Sequence, residues 1–111
     1  MKTYFDELVE LKNEHPDFKI IPRVEAQVVQ DDWGFWDGKF DHSEVNAYYY
    51  GNKRTHFKTD NIKDVLKDMK GCKYGHDFQG RDINKLSEEE QQNIFNSLPW
   101  RDCIIVNITK F

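Results

Sequence analysis

The chain has 111 residues, 38% of them apolar and 32% charged, with a formal charge of −4. That length suits one domain with a real core, and 14% aromatic residues are too many for a disordered chain. No apolar run approaches the ~18 residues of a membrane span, the N-terminus is acidic with no apolar signal region, and an acidic total argues against non-specific DNA binding, which needs a broad positive field.

Residues 3–14 read as a helix. Thr3 can cap it with Asp6 three residues on, a weaker form of the capping box. Tyr4, Leu8 and Leu11, flanked by Phe5 and Val9, form one broad apolar stripe, and Pro16 stops the helix. Residues 19–30 read as a strand with Ile20, Val24, Ala26 and Val28 on one face. Pro22 lacks an amide donor, which makes that strand an edge.

Residues 31–41 read as a loop or wide turn. Two further strands, 43–50 and 54–58, are joined through Gly51-Asn52 as a hairpin. A three-residue loop is the favoured register, because it pairs Tyr50 with Arg54 and Ala47 with Phe57. It gathers Val45, Ala47, Tyr49, Thr55 and Phe57 on one face, and Tyr48, Tyr50, Arg54, His56 and Lys58 on the other.

Residues 60–70 form the clearest helix, with Ile62, Val65, Leu66 and Met69 at helical spacing. Asp60 is its expected cap and Gly71 its stop. Residues 72–85 are irregular. Ser87 to Glu90 is a capping box opening a helix to about Ser97, buried through Ile94, Phe95 and Leu98. The last strand, 102–109, is the most apolar and belongs in the middle of the sheet. The order is α-β-β-β-α-α-β. The expected fold is a single α+β domain over residues 1–111, with three helices on an antiparallel or mixed sheet of about four strands.

The charge is unevenly placed. Residues 1–50 carry 11 acids against 5 Lys and Arg, and residues 51–86 carry 5 against 9. Two surfaces follow. The eleven residues 31–41 hold four aromatics and four aspartates. Trp33, Phe35 and Trp36 would be anchors, since Trp is enriched in binding hot spots. Asp31, Asp32, Asp37 and Asp41 would steer a basic macromolecular partner. Inhibitor- and immunity-like proteins offer a compositional analogy. The alternative surface is the hairpin face of Tyr48, Tyr50, Arg54, His56 and Lys58, where aromatics beside cations could stack bases and hold phosphates. The Lys63, Lys67 and Lys70 flank would support it.

Enzymatic signatures are weak. Cys72 and His76, four apart, could pair as nucleophile and base, but no oxyanion loop or third orienting residue accompanies them. The clusters Cys72/His76/Asp77 and Asp37/Asp41/His42/Glu44 lack a recognisable metal-ligand spacing. Cys72 and Cys103 are the only cysteines, and in a chain without an export signal they stay reduced. The expectation is a cytoplasmic protein-interaction module, not an enzyme, with neither cofactor nor metal and with no membrane partner.

Overall fold

The computed structural model describes residues 1–26, 28 and 37–111. Three helices and a four-stranded mixed sheet make an α+β fold. The strands are β1 (Lys19–Val24), β2 (Lys39–Tyr50), β3 (Thr55–Phe57) and β4 (Arg101–Thr109), in the sheet order β1-β4-β2-β3. The helices are α1 (Tyr4–Glu14), α2 (Ile62–Lys67) and α3 (Glu88–Ser97), with a 3-10 turn at Ile83–Lys85. No helix among the described residues is long and apolar enough to cross a membrane.

β1 is an edge strand, as Pro22 requires, and pairs in parallel with β4 from Lys19↔Cys103 to Val24↔Ile108. β4 lies between two strands, and its Cys103, Ile104, Ile105 and Val106 are buried. A strand covered on both faces carries a continuous apolar run rather than an alternating one.

The contacts divide the chain into two compact units. One comprises Met1–Asn46 with Asp102–Phe111, the other Ala47–Arg101. The first holds twelve acids against six Lys and Arg, a formal −6. The second holds eight against ten, a formal +2.

The first unit buries Leu8 against Ile104 and Val106, with Leu11, Phe18 and Ile108 alongside. The capping box of α1 is complete. Thr3 Oγ1 accepts from Asp6 N and Asp6 Oδ2 accepts from Thr3 N. Two expectations need correction here. The stripe on α1 is only partly buried, because Tyr4, Phe5 and Val9 remain exposed. β1 stops at Val24, and Ile20, Val24 and Ala26 are exposed, so of the expected apolar face only Val28, beyond the end of the strand, is buried. A turn replaces its continuation, with Val28 N donating to Glu25 O.

The second unit is organised around Tyr49, Val65, Leu66, Met69, Ile83, Phe95 and Leu98. Ser87 Oγ caps α3 by accepting from Glu90 N, although its hydroxyl hydrogen goes to the Glu90 carboxylate. Asn61, not Asp60, caps α2 by accepting from Lys63 N and Asp64 N. Asp60 instead accepts from Phe57 N.

The hairpin register differs from expectation by one residue. Tyr48 pairs with Phe57, Tyr49 with His56 and Tyr50 with Thr55. The turn therefore spans Gly51 to Arg54, closed by Gly51 N donating to Arg54 O at 2.9 Å. The cause lies outside the hairpin. The carboxylate of Asp68, just past α2, accepts from the backbone N–H groups of both Lys53 and Arg54. Asp68 O accepts from Asn52 N. This acceptor set holds a four-residue turn with no residue at positive φ, so the left-handed residue of a three-residue loop has no role.

Candidate functional site

In the first unit, the exposed rings of α1 meet the start of β2. Phe5 and Phe40 have ring centroids 6.0 Å apart, and Tyr4 meets His42 edge-on at 4.7 Å. Phe5 is 55% exposed and Phe40 43%. An exposed aromatic pair on a helix and a strand is costly in water unless something covers it. Acids lie close by. Glu7 accepts from Ser43 N at 2.7 Å and stands 3.4 Å from His42 Nδ1. Glu44 is paired with Arg23 at 2.9 Å.

The sequence placed an acidic-aromatic anchor on residues 31–41. Asp31, Asp32, Trp33, Phe35 and Trp36 lie outside the described residues. Asp37 is exposed. Asp41 is half-buried, and its carboxylate accepts from His42 N at 2.7 Å and from Thr109 Oγ1 at 3.4 Å. Phe5 and Tyr4, which the sequence assigned to the core stripe of α1, are the exposed aromatics that sequence reasoning missed. Their helical spacing matches that of Leu8, so nothing local distinguished them.

In the second unit, the register shift breaks up the proposed basic-aromatic face. Tyr48, Tyr50, Arg54, His56 and Lys58 do not share one side. Tyr48 and Tyr50 go with Thr55 and Phe57, whereas His56 goes with Tyr49. Tyr48 is buried, and His56 is only 1% exposed. Lys58 is exposed, with its N–H donating to Ala47 O.

His56 Nε2 stands 2.7 Å from Asp68 Oδ2. Burial opposes ionisation of Asp68, but hydrogen bonds from His56 and from the Lys53 and Arg54 backbones outweigh it and hold the carboxyl below its usual range. An ionised carboxylate only accepts, so Nε2 of His56 carries the hydrogen. The other nitrogen, Nδ1, is buried without a hydrogen-bond partner among the described residues. The cleft of about 290 Å³ beside this pair is lined by Lys53, Arg54 and Lys67, but also by Asp64 and Asp68. The cations there sit among acids, with Lys53 Nζ over the Tyr74 ring at 5.1 Å.

Tyr48 and Tyr50 line a different pocket of about 230 Å³, shared with Tyr49, Lys70, Pro99 and Arg101. The hydroxyl of Tyr49 accepts from Lys70 N at 2.8 Å. That bond fixes the chain after α2 to β2.

Cys72 and His76 line one pocket with Asp77. Burial, with the Asp77 charge in support, pushes the Cys72 thiol above its ordinary value. His76 Nδ1 is directed to Tyr74 O at 3.1 Å. Asp77 accepts from Gln79 N, Arg81 N and Arg81 Nε, so its oxygens are engaged. Burial likewise pushes Cys103 up to about 11. No group of three or more His, Cys, Asp or Glu among the described residues is placed to hold a metal ion.

Compared with protein-family models, curated proteins and solved structures, the chain matches none.

Proposed function

We propose that the protein is a small interaction module that docks on a basic macromolecular partner through its acidic first unit. The observation that carries this reading is the exposed Phe5–Phe40 pair set in a unit of formal charge −6. Aromatic anchors supply the area buried in a complex, and surrounding acids select and steer a positive surface. In sequence, exposed Asp37 and Phe40 follow the segment 31–36, whose Trp33, Phe35 and Trp36 are aromatic and whose Asp31 and Asp32 are acidic, the same residue chemistry that docking on a basic partner would use. Binding rather than catalysis also agrees with the cysteines. A nucleophilic thiol needs a lowered pKa, and both thiols are raised.

The test uses the intact chain against a panel of purified basic and acidic proteins of defined sequence, with binding read by biolayer interferometry. The wild type is expected to retain basic members and to release them as salt is raised. A Phe5→Ser/Phe40→Ser variant, changed only at exposed positions, is expected to bind about thirty-fold more weakly, the loss of one hot spot. A Trp33→Ala/Trp36→Ala variant is expected to weaken the same members. Absence of any basic ligand, or equal binding by the Phe variant with unchanged circular dichroism, would overturn the reading.

A further inference from the structure

We infer that the second unit carries a separate binding site for single-stranded nucleic acid, at the pocket formed by Tyr48, Tyr50, Lys70 and Arg101. Three observations converge on it.

The first is charge. Among the described residues, no carboxylate lines this pocket. Neither Lys70 nor Arg101 has an acidic partner among the described residues, whereas Lys2, Arg23 and Arg81 are each bound to a carboxylate. The cleft at His56 also holds cations, but Asp64 and Asp68 share it. Two uncompensated cations at one pocket favour an anion, and they exclude a basic peptide.

The second is the aromatic surface. Tyr50 is 47% exposed, and its ring meets Tyr48 edge-on at 5.2 Å with planes 64° apart. That contact buttresses Tyr50 while leaving much of the residue open. A flat ring beside two cations matches a nucleotide, with the base stacked on the ring and the phosphates at the cations. Free phosphate or a phosphorylated side chain would make no use of the tyrosine.

The third is rigidity. The Lys70 backbone is fixed to β2 by the Tyr49 hydroxyl. The chain before Arg101 is fixed by Trp100, which packs on Tyr49 and Phe95 and donates Nε1–H to Phe95 O at 2.8 Å. The two cations therefore project from anchored backbone, and the site is built before any ligand arrives. It is sequence-tolerant, because every base has a face to stack and no glycine-rich loop or base-reading edge accompanies it.

The experiment is fluorescence anisotropy of labelled oligo(U) and oligo(dT) with the full chain at low salt. Saturable binding is expected, and the ratio between the two probes reports any contribution of the 2′-hydroxyl. Tyr50→Leu is expected to weaken binding about ten-fold while Tyr50→Phe retains it, because stacking needs the ring and not the hydroxyl. A Lys70→Gln/Arg101→Gln variant is expected to flatten the dependence of log K on log salt by about 1.4, the value for two lost phosphate contacts on a single strand. A Lys73→Gln/Lys85→Gln control is expected to bind like the wild type. Phe5→Ser/Phe40→Ser is also expected to bind normally here, which separates this site from the docking surface of the first unit. Three results would overturn the inference. They are no binding at low salt, Tyr50→Leu binding like the wild type, and tripolyphosphate displacing the probe equally well from wild type and Tyr50→Leu.

Discussion

His56 Nε2 and Asp68 Oδ2 stand 2.7 Å apart with both residues buried, so β3 is fastened to the chain just past α2. The same carboxylate holds the β2–β3 turn through Lys53 N and Arg54 N. Removing it strands an imidazole and two turn amides at once. Asp68→Ala is expected to cost about 3–5 kcal/mol, because several buried donors lose their ionised acceptor together. Asp68→Asn keeps an acceptor and is expected to cost less, about 1–3 kcal/mol. Urea midpoints of the three proteins check the order, and a wild-type midpoint for Asp68→Ala would show that the turn stands without it.

The pH dependence follows from the same carboxyl. Its pKa is lower in the folded than in the unfolded chain. The unfolded state therefore binds the proton first as pH falls, and the stabilisation is complete above the unfolded value, about 3.9. It is lost as pH drops through that value towards the folded one. The stability gap between wild type and Asp68→Asn is expected to be flat near neutrality and to narrow below about pH 4. A gap independent of pH down to acid unfolding would contradict this.

Gly51 sits against Asp68. A β-carbon there would run into both the carboxylate and the backbone oxygen of Asp68. Gly51→Ala is expected to destabilise by about 1–3 kcal/mol through overpacking. The position has no positive φ, so the loss comes from contact and not from backbone strain. Combining Gly51→Ala with Asp68→Ala relieves part of the clash, and a double-mutant cycle should return non-additive energies.

The two helix caps make a paired comparison. Thr3→Ala removes a reciprocal box on α1, and Ser87→Ala removes one acceptor from α3. Each is expected to cost about 0.5–2 kcal/mol, read from urea denaturation.

Thiol chemistry offers a direct check on the non-enzymatic reading. Cys103 is fully buried with its pKa pushed up to about 11, and Cys72 is also raised. With a disulfide reagent at neutral pH, Cys72 is expected to react slowly and Cys103 only on unfolding. A fast-reacting Cys72 would reopen a cysteine-based activity.

What the sequence discloses divides by the range of the cause. Ser87, Ile94, Phe95 and Leu98 announced α3 because capping and helical burial are settled within a few residues. The position of β4 was legible in Ile104, Ile105 and Val106, since a two-sided environment demands an unbroken apolar run. Local pairing rules could not give the hairpin register, because its acceptor, Asp68, comes from beyond α2. That single slip moved His56 from an expected open face to the interior and left Tyr48 and Tyr50 at one pocket, Arg54 and His56 at another. Phe5 and Tyr4 were misassigned for a similar reason. A broad stripe on a short helix does not reveal how much of it the neighbouring strands cover.

The parallel pairing of β1 with β4 has a kinetic corollary. Arg23 and its hydrogen-bond partner Asn107 are separated by 84 positions, so the amino-terminal edge must wait, during ribosomal synthesis, for nearly the whole polypeptide to emerge. The stretch Ala47–Arg101 is contiguous and can collapse earlier, without that long loop closure. In refolding, protection of its amides against solvent deuterium should precede protection of Ile21 and Arg23.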